Sequence, residues 1–265
     1  MSRLPVFVQD LREGRRSLIG WSLGLIVVMM IYLPFFGIMG GDSEIRELVE
    51  SLPPALVEAL RYDQMFTGPG YAQATILGLL GFALGTIAAV SWGARAIAGD
   101  EETGTLELTL AHRVSRERLV LERALGILVR LVVLGVVVAV VLLATSEPFG
   151  LDLVAGNVLA AVTAFVMLLL TSAMAALAAG ALVGRRVVAL AAGAGLAVSG
   201  YVGDAVGGQA AGWGWLQDIS PFAWAYGNSP ITDGWDPGGL ALLLALSGVL
   251  LVGAVVAFRR RDVGT

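Results

Sequence analysis

Few side chains in this sequence could carry chemistry. There is one histidine, His112, and no cysteine. That excludes a disulfide framework, thiol catalysis and a metal site built from Cys or clustered His. Every basic residue is arginine. Without lysine there is no Gly-x-x-x-x-Gly-Lys-[Ser/Thr] phosphate loop, so the chain has no such site for ATP. An intramembrane protease or lipid transferase would need a nucleophile with its base, or paired acids, within an apolar stretch. No apolar stretch holds a histidine or an acid cluster.

The charge is concentrated instead in Ala98–Ala124. Asp100, Glu101 and Glu102 come first. Gly104 and Thr105 then open a short helical run, with Thr105 placed to cap it and the acids placed at its positive end. Leu106 and Leu110 lie four apart and share a face with Thr109. Arg113, Arg116 and Arg118 follow. This pattern describes a compact helix along a membrane surface, with an apolar ridge and charge at both ends. Such an element suits a groove on a soluble partner. An ordinary basic loop is the other reading, and periodicity does not separate the two.

The elements that position this segment are membrane spans. The chain has 265 residues, 57% hydrophobic and 14% charged, with a mean hydropathy of +0.82. A soluble domain carries roughly a quarter charged residues. A spanning helix needs roughly 20 mostly apolar residues, because backbone polar groups must be satisfied inside lipid. Stretches near Leu18–Met39, Tyr71–Ala98, Leu119–Ala144, Leu153–Val183, Val187–Val206 and Gly238–Phe258 qualify. The fold class is an all-α integral membrane protein of six transmembrane helices, with residues 1–265 as one transmembrane domain. The first apolar stretch follows Arg3, Arg12, Arg15 and Arg16 with no small-residue cleavage signal, and reads as a retained span.

Arginine sets the orientation. All but Arg46 and Arg61 fall before span one, around the loop between spans two and three (Arg95, Arg123 and Arg130 inside the adjoining spans), between spans four and five, or after span six. By the positive-inside rule those segments, and both termini, are cytoplasmic. The opposite loops are acidic, with Asp42, Glu44, Glu47, Glu50, Glu58 and Asp63 in the first. Leu4–Ser17 reads as a short interfacial helix. Asp42–Met65 reads as external helices interrupted by Pro53-Pro54. Trp213, Trp215, Phe222, Trp224, Tyr226 and Trp235 suit an interfacial aromatic belt, and Gly207-Gly208 with Pro221 predict broken helices there.

Three stretches in order carry a resemblance. The string Glu101-Glu102-Thr103-Gly104-Thr105-Leu106-Glu107-Leu108-Thr109-Leu110, followed by Val114-Ser115-Arg116, resembles the cytoplasmic loop of ABC-2 type permeases. These are the transmembrane subunits of a class of ATP-binding-cassette exporters. Ser220-Pro221-Phe222-Ala223-Trp224-Ala225-Tyr226 resembles that family's outer loop, and Phe258-Arg259-Arg260-Arg261-Asp262 its F-x-x-R-D close. One departure is Arg113, where members often have proline before Val-Ser-Arg.

The resemblance implies a transporter subunit, not an enzyme. It makes the loop after span two a coupling helix seated in a cleft of a separate ATPase. Carried over, Glu101, Glu102, Gly104, Thr105, Leu106, Glu107 and Leu110 would contact that partner, with Arg116 and the interfacial helix flanking them. No cofactor belongs to this chain, since ATP and Mg would be held by the partner. Two ATPase copies and a second permease chain, identical or related, are expected in the cell membrane. The path would run between half-bundles along spans one, two and five, where Asp204 is the candidate polar residue. An almost uncharged path suits a hydrophobic or amphipathic substrate such as a drug, antibiotic or lipid. A non-transporting membrane anchor is the alternative.

Overall fold

The computed structural model describes residues 5–39, 67–106, 115–209 and 212–261. The segment Asp42–Met65, expected to form external helices, lies outside the described residues, as do Glu107, Leu108, Thr109, Leu110, Arg113 and Asp262. The described residues form helices and connecting turns, with no strand among them. In chain order the helices are α1 (Pro5–Tyr32), α2 (Pro34–Met39), α3 (Gly68–Glu102), α4 (Arg116–Ser146), α5 (Ala155–Val183), α6 (Arg186–Gln209), α7 (Trp215–Asp218), α8 (Pro221–Tyr226), α9 (Pro230–Asp233) and α10 (Pro237–Arg260). Six helices are long and apolar enough to cross a membrane: α1 running on into α2, then α3, α4, α5, α6 and α10.

α5 is the axis of the bundle. It packs against α10, α6, α3 and α4, and 83% of its apolar stretch is buried, against 17% for α1 and α10. Its sequence explains this, since it is apolar all round, the pattern of an enclosed helix. The outer helices direct rows of large apolar residues outward, such as Ile19, Leu23 and Val27 on α1 and Leu242, Val249 and Val252 on α10. Lipid is the medium in which such rows are stable.

The arginine-rich ends of all six spans meet at one end of the bundle. Asp10 of α1 pairs with Arg123 and Arg130 of α4. Arg261 after α10 pairs with Glu101 at the end of α3 and donates to α5 carbonyls. The backbone N–H of Arg186, which starts α6, donates to Glu102. The spans therefore alternate up and down, as the arginine distribution requires.

Three local expectations are revised. Leu4–Ser17 does not form a helix separate from span one: Pro5–Tyr32 is continuous, because nothing between Val6 and Tyr32 breaks helical geometry. Gly207-Gly208 does not interrupt α6, which runs to Gln209. Gly207 instead lets α7 approach, since a Cβ there would lie 2.8 Å from Gln217 Cγ and 3.1 Å from the Gln217 nitrogen. The aromatic belt is split. Trp213, Trp215 and Trp235 are exposed, whereas Phe222 and Tyr226 are buried. Phe222 meets Phe82 and Tyr201 edge-on, at 5.2 and 5.1 Å between ring centroids. Edge-to-face geometry is the favoured aromatic arrangement.

Pro221 does mark a new helix, α8, and Ser220 caps it. The Ser220 Oγ accepts from the Ala223 N–H at 3.1 Å and donates to the Gly200 carbonyl of α6 at 2.7 Å. The residue is 2% exposed. Ser220→Ala removes both bonds from a buried site, so a loss of about 1–2 kcal/mol is expected in denaturant unfolding of the purified chain.

Candidate functional site

The segment singled out by its charge begins as the end of α3, which carries its three acids, and helix resumes at Thr105 and Leu106 after the turn at Thr103-Gly104. The helix carries two π-helical segments, Gln73–Leu80 and Arg95–Gly99. The second leads directly into Asp100-Glu101-Glu102. The three acids therefore sit at a helix C-terminus, where the aligned peptide dipoles make negative charge unfavourable. The surrounding structure compensates each of them in turn.

Successive helical residues point about 100° apart, so the acids reach three different neighbours. Asp100 pairs with Arg123 of α4. Glu101 pairs with Arg261 after α10. Glu102 accepts the backbone N–H of Arg186 at 2.8 Å and so caps the start of α6. One more carboxylate acts in the same way: Glu122 of α4, itself 2% exposed, accepts the Phe7 N–H at the start of α1 at 2.9 Å. At this end of the bundle, acids borrowed from neighbouring spans cap helix N-termini, and arginines neutralise helix C-termini.

Thr103-Gly104-Thr105 closes α3. The Thr103 Oγ donates to the Gly99 carbonyl at 3.0 Å, and the Thr105 Oγ donates to the Asp100 carbonyl at 3.1 Å. The Gly104 N–H donates to the Glu101 carbonyl at 3.0 Å. The Asp100 and Glu101 carbonyls, which a helix end leaves open, are thus satisfied, and the Gly99 carbonyl, which already accepts the Thr103 N–H at 3.2 Å, gains a second donor. Gly104 takes φ +72°, and a Cβ there would meet nothing within 4 Å. Glycine is needed for its backbone conformation, not for space.

The site residues read from the sequence are distributed as follows. Glu102, Thr103, Gly104 and Thr105 are exposed. Leu106 is 1% exposed and joins the apolar core. Glu101 and Arg116 are brought together through Arg261, since Arg116 donates to the Phe258 and Arg261 carbonyls. Glu107 and Leu110 lie outside the described residues. Asp204 is at the opposite end of the bundle, half-buried, and its Oδ1 accepts from Gln217 Nε2 at 3.0 Å.

Beneath the acids lies a group that the sequence reading did not single out: Asp10, Arg123 and Arg130. Asp10 accepts from Arg123 Nη1 at 2.6 Å and from Arg130 Nη2. Arg130 also lies 5.6 Å from the Trp92 ring centroid, and Trp92 Nε1 donates to Ser17 Oγ at 3.0 Å. A signal for this group is present in the sequence. Arg123 and Arg130 are seven apart, hence on one helix face, within an apolar span where ionisable residues are rare and almost always paired.

The fold is thus a six-span bundle whose second span ends in a cross-braced acidic cluster and an exposed Thr-Gly-Thr turn. No curated protein matches the chain. A family model described as "ABC-2 family transporter protein" matches residues 4–263, nearly the whole length, so the chain belongs to the ABC-2 transporter family, as a membrane permease subunit of an ABC transporter.

Proposed function

We propose that this permease exports a hydrophobic or amphipathic substrate, powered by a separate ATPase that docks on the segment from Thr103 onward. The observation that carries this reading is the end of α3. An exposed turn is mounted on a helix whose last three acids brace it to α4, α6 and the C-terminal end of α10. A push on that turn reaches most of the bundle. Glu102, Gly104 and Thr105 form the outward part of the docking element, continued by Glu107 and Leu110, while Glu101, Leu106 and Arg116 hold it from within. The arginine-rich end faces the cytoplasm of the cell membrane by the positive-inside rule.

ATP closes two partner ATPases, and the docking segments carry that movement into two permease chains. The shift between inward and outward states is bounded by how differently nucleotide binds the two. The weakly enclosed faces of α1 and α6, 17% and 22% buried, support a path that is completed by a second chain. Residues 17–32 of α1 and 187–203 of α6 carry no charged side chain, which supports an apolar cargo, with Asp204 near one end of that path.

Gly104→Val tests the docking element. The substitution forces a β-branched residue into left-handed backbone at a cost of about 1–2 kcal/mol, at a position where the added Cβ meets nothing within 4 Å. The expected result is an intact, monodisperse permease that no longer brings down its ATPase in mild-detergent co-purification. Retention of the ATPase at the wild-type ratio would refute docking at this turn. If the wild-type complex shows no change in ATP hydrolysis with any amphiphile tested, the substrate class is wrong.

A further inference from the structure

Of the three consecutive arginines at the end of α10, the first two match the expectation for orientation charges. Arg259 forms an exposed pair with Glu117, 61% and 49% exposed, of a kind that contributes little, and Arg260 is exposed. Arg261 is different. α10 ends at Arg260, and Arg261 adopts extended backbone, φ −90° and ψ 132°. Its side chain thereby leaves the helical progression and turns inward, to 20% exposure.

There it meets the C-terminal ends of three helices. Nη2 pairs with Glu101 of α3. Nη1 lies 3.3 Å from the Ala181 carbonyl and 3.5 Å from the Gly180 carbonyl of α5. Arg116, the first residue of α4, donates to the Phe258 carbonyl at 3.2 Å and to the Arg261 carbonyl, and its guanidinium stands 5.7 Å from the Phe258 ring centroid. Phe258 is fully buried. Two cations thus occupy the point where three negative helix ends converge. Gly184 makes room: it ends α5 at φ +73°, and a Cβ there would run into both the Arg261 guanidinium and the Glu101 carboxylate. The second oxygen of Glu101 is buried with no hydrogen-bond partner, so its pairing with Arg261 is the interaction that justifies burying the carboxylate.

We propose that Arg261 is a positioning residue for coupling. It clamps the end of α3 to the ends of α5 and α10, so that displacement of the docking turn moves these three spans as one body. This rests on the reading that an ATPase docks at that turn. The segments that resemble the family's loop and its C-terminal close are, on this view, two halves of a single device.

The test uses the complete complex in lipid vesicles and reads two quantities: the amount of ATPase that co-purifies and the ATP turnover per complex. Arg261→Gln and Glu101→Gln are each expected to keep the ATPase bound while turnover falls about tenfold, within the usual range of coupling effects. The double variant should fall no further than the worse single, because both substitutions break one interaction. Arg260→Gln should leave turnover unchanged. Wild-type turnover in either single variant overturns the clamp, as does an additive, roughly hundredfold loss in the double. Loss of the ATPase from Glu101→Gln but not from Arg261→Gln makes Glu101 a docking residue and overturns it equally. If the glutamine variants fail to assemble, Arg261→Lys decides. Lysine keeps the charge but lacks the planar fork that serves several acceptors at once, so partial turnover supports the clamp and full turnover refutes it. A wild-type chain that brings down no ATPase defeats the docking reading, and the clamp with it, before any variant is compared.

Discussion

Asp10→Ala is expected to lower the unfolding free energy by about 3–5 kcal/mol, the usual cost of removing one partner from a buried ion pair. Asp10 is 8% exposed and Arg130 5%. The carboxylate serves Arg123 and Arg130 together, and Arg130 makes a second bond to the Asp10 carbonyl at 2.7 Å. With the carboxylate gone, Arg123 keeps Asp100. Arg130 keeps only a backbone oxygen and the face of Trp92. Its Nε is already buried with no partner, so little else can offset the charge. The space is tailored as well: a Cβ at Gly126 would strike the Asp10 carboxylate. A double variant, Asp10→Leu with Arg130→Met, should be less damaging than Asp10→Ala alone, because well-packed apolar groups replace a buried pair at little net cost. Denaturant unfolding in detergent, followed by tryptophan fluorescence, measures both. A double variant less stable than the single would show the pair to be strongly stabilising in its own right.

The second large effect is expected at a helix crossing. Gly85, Ala89 and Gly93 lie four apart on the face of α3 that meets α5, the spacing at which small residues let helices approach in membranes. The two glycines are not equivalent. A Cβ at Gly93 would collide with the Ala173 carbonyl of α5 and lie 3.0 Å from Ala176 Cβ. Both are fixed to the helix backbone, and α5 is held by four neighbouring spans. A Cβ at Gly85 would meet Leu169 Cδ1 at 2.7 Å and Phe165 Cζ at 3.1 Å, the far ends of side chains that can rotate. Gly93→Ala should therefore lose about 2–3 kcal/mol from overpacking. This exceeds the roughly 1 kcal/mol that alanine gains over glycine in helix propensity. Gly85→Ala should stay within about 1 kcal/mol of wild type. Equal losses at the two sites would show that α5 yields as easily as a leucine side chain does.

Much of this protein could be read from its residues. Apolar length determined the six spans, since lipid leaves the backbone no other partner than its own helix. The arginine distribution predicted their alternation, and the ion pairs at one end of the bundle agree with it. The acidic stretch from Asp100 was recognisable as the place where charge collects. The Thr-Gly-Thr turn has a local cause that its own residues supply, in two hydroxyls and one glycine.

Tertiary structure decided what each charge is for. Periodicity takes 3.6 residues per turn throughout, and so misses a π-helical segment such as Arg95–Gly99, which changes the face presented by every later residue of α3. The direction of Asp100, Glu101 and Glu102 follows from that register and from which helix ends happen to stand opposite. Arg259, Arg260 and Arg261 are alike in sequence, yet only the last leaves the helix and reaches Glu101, 160 positions away. Composition records that a charge is present. Only the convergence of several helix ends, each with its own partial charge, selects the arginine that becomes buried and the acid that meets it.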